Sequence, residues 1–219
     1  MPEVSGEFVW AMEEVLQTYA RPYDPQRPQV CCDEASKELH AETHEPQPAR
    51  PGQAARQDCT YERQGTANMF MLVCPLLGWR HVEVTERRTK VDFARQLQAL
   101  VDVHFPQAER ITVVLDNLNT HTKGALYEAF APEEAKRIAD RLELVYTPKH
   151  ASWLNMAELE WSVLVRQCLS RRIATAEELR REVEAWVQAR NATGVKITWS
   201  FRIPEARIKL AHLYPAKSL

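Results

Sequence analysis

The sequence predicts a mixed α/β domain in which helices flank a central sheet. The sequence predicts a hairpin of two strands early in the chain, then strands that alternate with helices, and helices at the end, which is the order of a layered α/β architecture. A chain of 219 residues with 45% hydrophobic residues can bury one large core without disulfides. We therefore expect one domain over residues 25–219, preceded by a short helical segment over residues 1–24.

The first part of the chain contains signals for a helix, a strand, a loop and a hairpin. Apolar residues at helical spacing predict a helix over 7–20, which ends at the stretch RPYDPQRP. The apolar run QVCC predicts a buried strand with Asp33 at its carboxyl end. Residues 35–65 lack periodicity and predict a long loop. The runs NMFMLVCP and WRHVEVT predict the two strands of a hairpin.

Helices and strands alternate in the second part of the chain. Thr89 and Asp92 occupy the N-cap and third positions of a helix that stops at Pro106. The β-branched run RITVVLD predicts a strand that ends at Asp116. The remaining patterns predict, in order, helices over 122–129 and 132–141, the strand LELVY, and helices over 155–170 and 175–194.

Charge is distributed unevenly along the chain, although the net charge is only −2. Residues 1–160 contain 17 basic and 25 acidic residues, whereas residues 161–219 contain 11 basic and 5 acidic residues. This division suits an acidic body that holds metal ions beside a basic region that contacts phosphate, or ordinary solvated helix faces. The five cysteines lack a C-x-x-C pair, and no apolar run is long enough to cross a bilayer. We expect a soluble cytoplasmic protein with no membrane partner.

Carboxylates are placed to meet at one edge of the predicted sheet. Asp33 and Asp116 each end a strand, and ligands gather at the carboxyl ends of strands in such sheets. The helix that begins near Asn155 brings Glu158 or Glu160 toward the same edge. Carboxylates bind hard divalent cations, and a pair of such ions promotes attack on a phosphodiester. These residues predict metal-assisted phosphodiester cleavage.

The helical periodicity does not show whether Glu158 or Glu160 faces the metal ions. Residues two apart on a helix point about 200° away from each other, so only one of them faces the metal ions. The apolar stripe of this helix leaves either glutamate beside it. A structural role is equally compatible, because Asn155 and Glu158 occupy the two positions of a capping box. Asp33 and Asp116 are likewise common residue types at turns.

Several separated motifs resemble those of DDE transposases from bacterial insertion sequences of the mariner superfamily. They are VCCDEASKEL, GWRHVEVTERRTKVDFA, VVLDNLNTHT and YTPKHASWLNMAELEW, and they occur in the family's order. The resemblance implies an RNase H-like fold, two Mg²⁺ or Mn²⁺ ions, and cutting and rejoining of element DNA by a D, D, E triad. It assigns the triad to Asp33, Asp116 and Glu158, since the family's Asn-x-x-Glu signature before a tryptophan ends at Glu158. Glu160 is the second choice.

Other residues are predicted to contact DNA. Lys149 and His150 precede the catalytic helix and suit phosphate contact, although a solvated pair is equally compatible. Trp153 suits stacking on an unpaired base or a place in the core. Asn119 and His121 either touch DNA or orient Asp116, and a buried hydrogen-bonding role for His121 is equally open. The basic candidates for backbone contact are Arg87, Arg88, Lys90, Arg166, Arg171 and Arg172.

The resemblance also implies partners and a place of action. It implies a homodimer on double-stranded DNA, at element ends and target, in the bacterial cytoplasm and nucleoid. The opening residues resemble the linker helix that precedes the family's catalytic domain. We expect the family's helix-turn-helix modules to be missing, or supplied by a separate polypeptide. Two alternatives stay open: an RNase H-like nuclease that ignores element ends, and a catalytically silent DNA-binding remnant of a decayed transposase.

Overall fold

A mixed sheet of five strands forms the centre of the computed structural model, which describes residues 5–44, 49–54 and 59–215. The strands are β1 (Gln29–Glu42), β2 (Tyr61–Cys74), β3 (Trp79–Thr85), β4 (Ile111–Leu115) and β5 (Leu142–Tyr146). Their order across the sheet is β3-β2-β1-β4-β5. Strands β1, β2 and β3 pair antiparallel, whereas β4 and β5 run parallel to β1. The mixed α/β class predicted from the sequence is confirmed.

Helices cover both faces of this sheet. They are α1 (Gly6–Ala20), α2 (Lys90–Ala99), α3 (Gly124–Ala129), α4 (Pro132–Asp140), α5 (Ala157–Leu164), α6 (Ala176–Ala192) and α7 (Ile203–Lys209). Helices α2 and α5 each continue into a π-helical turn, over Leu100–His104 and Val165–Leu169 respectively. Among the helices that the structure describes, none is both long and apolar enough to cross a membrane.

Alternating side chains of the central strands supply two cores, one on each face of the sheet. Cys31 and Met71 pack with α1, α5 and α6, whereas Cys32 and Leu72 pack with α2, α3 and α4. Successive side chains of a strand point to opposite faces, so a strand covered on both faces needs apolar residues at every position. This explains the continuous apolar runs in β1, β2 and β4.

Local sequence signals act where they were predicted. Thr89 and Asp92 form a reciprocal capping box at the start of α2, and the hydroxyl of Thr175 accepts from the backbone N–H of Glu178 at the start of α6. The predicted hairpin is formed by β2 and β3. In its turn Gly78 has φ +76°, and a Cβ there would lie 2.5 Å from the backbone oxygen of Gly194. Only glycine fits this turn without displacing the chain.

The loop predicted over residues 35–65 is shorter in the structure, and the prediction that β1 ends at Asp33 is wrong. Strand β1 continues to Glu42, which pairs with Tyr61 at the start of β2. This extension and the first half of β2 form a two-stranded ribbon, the β1–β2 ribbon, whose side chains are mostly exposed or only partly buried. The ribbon therefore needs no alternation of apolar and polar residues, and its sequence shows no strand periodicity. The connecting loop therefore covers residues 43–60. Residues 45–48 and 55–58 of the predicted loop lie outside the described part of the chain.

Helix α1 packs directly on the sheet. Phe8, Met12, Leu16 and Tyr19 are buried in the same core as the residues of α5 and α6. The described part of the segment predicted as a linker helix, from residue 5 onward, thus shares the core of the domain predicted for residues 25–219.

Candidate active site

The parallel pairing of β1 with β4 brings the two aspartates level with each other. Cys31 pairs with Val114, and Asp33 and Asp116 each lie two residues further along the chain. Neighbouring strands are about 4.8 Å apart, and residues two apart point to the same face. Asp33 therefore belongs on the face of the sheet that α1 and α5 cover, whereas Asp116 lies one residue beyond the end of β4, where strand alternation no longer fixes the direction of its side chain. Asp116 follows β4 directly, as predicted, while Asp33 lies inside β1.

Asn155 fixes the start of α5 beside Asp33. Its Nδ2 donates to the backbone oxygen of Cys32 at 2.8 Å, and its Oδ1 accepts from the backbone N–H of Ala157 at 3.1 Å. The side chain thus ties the residue before Asp33 to the first turn of α5, which contains Glu158. The alternative capping box of Asn155 with Glu158 is not formed, because the N-cap of α5 is Met156 and has no side-chain hydrogen bond.

Tyr19 holds the same junction from the side of α1. Its hydroxyl donates to the backbone oxygen of Leu154 at 2.8 Å and lies 3.4 Å from the Sγ of Cys31. Burial, together with Cys31, raises the pKa of Tyr19 well above its ordinary value, so the phenol stays protonated and able to donate. The position of α5 is therefore set by the protein's own contacts.

The two glutamates of α5 have different surroundings. Glu160 is 1% exposed, and its Oε1 lies 2.8 Å from Nη2 of Arg80 and 3.0 Å from Nη2 of Arg190. Glu158 is exposed and adds to the negative charge around Asp33. The carboxylate of Glu160 is thus fully occupied by arginines, which favours Glu158 as the third carboxylate of the site.

Negative charge accumulates around Asp33. Burial raises the pKa of Asp33 from 3.8 to about 7, and the charges of Glu158, Asp116 and Glu34 act in the same direction against a hydrogen bond from the backbone of Glu34. Asp33 is thus within electrostatic reach of the other two predicted catalytic carboxylates, Asp116 and Glu158. Such a group favours either a shared proton or a bound cation.

His121 lies between two carboxylates on the other side of the sheet. The ring is fully buried, with Nε2 2.8 Å from Oε1 of Glu34 and Nδ1 2.5 Å from Oδ1 of Asp116. Burial alone would lower the pKa of His121, but hydrogen bonds to Asp116 and Glu34 outweigh it and raise the pKa to about 9. His121 is therefore a buried cation that orients Asp116, and its full burial fits the buried hydrogen-bonding role that the sequence left open better than a contact with DNA.

Replacing His121 with alanine will lower the free energy of unfolding by about 3 to 5 kcal/mol near pH 7, because it leaves the Glu34 and Asp116 carboxylates without their cation. The folded-state pKa is raised, so this stabilisation is fully present below about pH 6.5 and is lost as the pH rises through about 9. Urea unfolding at pH 7 and pH 10 measures both effects. An equal difference between wild type and variant at the two pH values would show that the ring is neutral.

The donor set suits a divalent cation of the Mg²⁺ type. In residues 5–44, 49–54 and 59–215, no three His, Cys, Asp or Glu side chains are close enough to surround one ion. A Mg²⁺ ion does not require three, because it takes one or two carboxylates and completes its shell with water and substrate phosphate. Asp33 and Asp116, which the pairing of β1 with β4 sets level with each other, suit such a pair.

Asp33→Asn will stabilise the metal-free protein at pH 8 by about 1 to 3 kcal/mol, since it removes a buried charge repelled by its neighbours. The folded-state pKa is raised, so protonated Asp33 favours folding below about pH 4 and this advantage is lost as the pH rises to about 7. At pH 5 the variant will accordingly show little gain. Urea unfolding in EDTA at both pH values measures the difference.

Added Mg²⁺ provides the control for this prediction. Wild-type protein will gain stability from 10 mM Mg²⁺ at pH 8, by about 1 to 3 kcal/mol for a dissociation constant well below that concentration, whereas Asp33→Asn will gain less. A variant that is less stable than wild type in EDTA at pH 8 would contradict the charge crowding around Asp33.

The predicted DNA contacts divide into exposed residues and residues with partners inside the protein. Lys90 pairs with Glu128 and Arg171 with Glu182, but exposed ion pairs such as these are weak. Arg172 donates to Glu42 and to backbone oxygens of the loop before β2, so it holds the β1–β2 ribbon. The other candidates are exposed: Arg87, Arg88, Asn119, Lys149, His150, Trp153 and Arg166.

Several residues that shape the site were not predicted. Glu34 follows Asp33 in β1 and therefore faces the opposite side of the sheet, where it meets His121. An acidic residue in a buried strand indicates a buried partner that pairs with its carboxylate, but the sequence does not show which residue that partner is. Tyr19 and the arginine partners of Glu160 have no local signal, because each acts across a long separation in sequence.

Comparison with known proteins identifies the family to which the chain belongs. The family model described as DDE superfamily endonuclease matches residues 28–180. A comparison with curated proteins gave no match. Among solved structures, a Mos1 strand transfer complex is 16% identical with a TM-score of 0.57, over 83% of this chain and 53% of that chain. The Mos1 mariner paired end complexes with Mn and with Mg are each 16% identical with a TM-score of 0.57.

The two paired end complexes match 89% of this chain and 60% and 58% of theirs, so the chain spans a little over half the length of these Mos1 chains. At this identity the likeness concerns the fold, and it confirms the predicted RNase H-like architecture. The family model covers well over half of the sequence and includes Asp33, Asp116 and Glu158. The chain belongs to the DDE superfamily endonucleases.

Proposed function

We propose that the chain is the catalytic domain of a mariner-type transposase that cuts and rejoins insertion-element DNA by two-metal phosphodiester chemistry. The observation on which this rests is geometric: the pairing of β1 with β4 sets Asp33 level with Asp116, and the hydrogen bond from Asn155 to the Cys32 oxygen ties the first turn of α5, which contains Glu158, to the residue before Asp33. Membership of the DDE superfamily endonucleases supports phosphodiester cleavage as the reaction class.

Asp33, Asp116 and Glu158 would hold two Mg²⁺ or Mn²⁺ ions, which are hard cations that prefer carboxylate oxygens. Such a pair of ions activates a water or 3′-hydroxyl and stabilises the leaving oxygen of a phosphodiester. His121 and Asn155 act as positioning residues: His121 orients Asp116, and Asn155 holds the first turn of α5 against β1. Both are buried, so neither competes for substrate.

Exposed residues next to the carboxylates are assigned to DNA contact. Asn119 follows Asp116, and Lys149 and His150 lie on the loop between β5 and α5, so phosphate contacts there would place a strand at the site. Trp153 is 45% exposed and is assigned to base stacking. The remaining backbone contacts are assigned to Arg87, Arg88, Lys90, Arg166 and Arg171.

The similar solved structures suggest the form of the complex. They are Mos1 complexes named for strand transfer and for paired transposon ends, two of them with Mn or Mg. By analogy we propose that this domain acts on double-stranded DNA as a homodimer that holds two element ends. Recognition of the end sequence by a separate helix-turn-helix polypeptide stays a prediction.

Incubation with labelled duplexes copied from the DNA on either side of the gene tests the proposal. We expect cleavage at element ends, joining of the ends to a target plasmid, and dependence on Mg²⁺ or Mn²⁺. Equal cutting of unrelated DNA would support a general nuclease of the same fold. A folded protein that binds these duplexes without cutting them would support the catalytically silent remnant.

A further inference from the structure

Strand β5 forms one edge of the sheet, and half of its backbone groups face outward. The backbone N–H of Thr147 donates to the backbone oxygen of Leu115 at 2.9 Å, so Thr147 faces β4. Backbone groups alternate between the two sides of a strand, which leaves Leu144 and Tyr146 facing the outer edge. Leu142 has the same parity, and its oxygen accepts from Nζ of Lys123 at 2.6 Å.

A groove lies on each side of this edge. One, of about 610 Å³, runs between α1 and β5 and ends at Asn117, Lys149 and His150. The other, of about 550 Å³, lies on the opposite face beside Lys123 and Asp140. A polypeptide strand added to β5 would direct its side chains alternately into the two grooves. Edge hydrogen bonds flanked by alternating grooves are the features by which proteins bind extended peptides.

The α1 side of the larger groove has a distinct chemistry. Glu7, Trp10 and Glu14 lie at positions i, i+3 and i+7 of α1, hence along one face of the helix. Trp10 is 65% exposed, and within the described part of the chain neither glutamate has an ion-pair partner. Two unpaired carboxylates around an exposed indole attract lysine or arginine side chains and repel the phosphates of nucleic acid.

We propose that the outer edge of β5 binds an extended basic polypeptide segment as a sixth strand, with lysine or arginine at alternate positions over the Glu7–Trp10–Glu14 face. The opposite groove lies beside the amine of Lys123, so the intervening side chains are neutral or acidic. This surface uses none of the three predicted catalytic carboxylates, and its occupation does not depend on the proposed transposase activity.

Fluorescence polarisation with a labelled nine-residue peptide, in which lysine alternates with threonine and valine, tests the proposal. We expect the double variant Glu7→Gln/Glu14→Gln to weaken binding by about 10-fold and Trp10→Ala by about 5-fold. The matched control is Glu177→Gln/Glu184→Gln on α6, which removes two exposed carboxylates at the same spacing. We expect its affinity to stay within about two-fold of wild type.

The hydrogen-bonding part of the proposal has its own test. A peptide with the same side chains but N-methylated at alternate residues cannot pair along one edge, so we expect it to bind about 10-fold more weakly or not at all. Hydrogen exchange should slow at the amides of Leu144 and Tyr146 when the unmethylated peptide binds.

Three results would overturn the proposal. The first is that the methylated peptide binds as tightly as the unmethylated one. The second is that hydrogen exchange at Leu144 and Tyr146 does not change when the peptide binds. The third is that the Glu7→Gln/Glu14→Gln variant still binds the peptide but loses binding to an oligonucleotide or to a second copy of the chain.

Discussion

Asp33→Asn, Asp116→Asn and Glu158→Gln will each lower the rate of metal-dependent DNA cleavage by about 10³-fold or more, because groups that act as a unit in catalysis are not individually dispensable. Each change keeps the size of the side chain and removes the negative charge that would hold a cation. The measurement is single-turnover cleavage of labelled duplexes in Mg²⁺ and in Mn²⁺, with enzyme in excess over DNA.

The control for this series separates loss of chemistry from loss of structure. Glu158 is exposed, so Glu158→Gln should change the free energy of unfolding by less than about 0.5 kcal/mol. Glu177→Gln removes an exposed carboxylate on α6 and should cleave at the wild-type rate. Wild-type activity of a folded Glu158→Gln protein would show that the third carboxylate is assigned to the wrong residue.

Elements that depend on local signals were predicted well from the sequence. The capping box of Thr89 and Asp92, the β-branched strand before Asp116 and the apolar stripe of α6 each reflect interactions between residues a few positions apart. Such signals are available without tertiary information. The level placement of Asp33 and Asp116 depends on the parallel pairing of β1 with β4. The sequence predicted that each aspartate ends a strand, and this is confirmed only for Asp116, because β1 continues past Asp33.

Features that depend on distant residues were not predictable in the same way. Residue spacing left Glu158 and Glu160 equivalent, and the difference between them is an arginine 80 positions earlier in the chain. The extension of β1 beyond Asp33 depends on pairing with β2, and the polar residues of the extension contain no sequence signal for a strand. His121 had three open roles until the structure placed it between Glu34 and Asp116.

The pairing of Glu160 with two arginines holds β3, α5 and α6 together. Arg80 of β3 is fully buried and also donates to the backbone oxygens of Gly78 and Val195 at 2.6 and 2.8 Å. Arg190 of α6 donates to both carboxylate oxygens of Glu160. Burial opposes ionisation of Glu160, but the hydrogen bonds from Arg190 and Arg80 outweigh it and lower the pKa of Glu160.

Glu160→Gln will therefore lower the free energy of unfolding by about 3 to 5 kcal/mol, since it leaves the buried Arg80 guanidinium without a counter-charge. Urea unfolding at pH 7 measures the loss, and Glu158→Gln on the same helix is the matched control. The double variant Arg80→Met/Glu160→Leu should lose less free energy of unfolding than Glu160→Gln, because an apolar pair removes the unpaired charge as well.

The stabilisation from Glu160 also depends on pH. The folded-state pKa of Glu160 is lowered, so its stabilisation is present above the unfolded pKa near 4.5 and is lost as the pH falls through the folded value. Equal stability of Glu160→Gln and Glu158→Gln would mean that the ion pair contributes little, and the structural reason for preferring Glu158 as the metal-binding residue would fall with it.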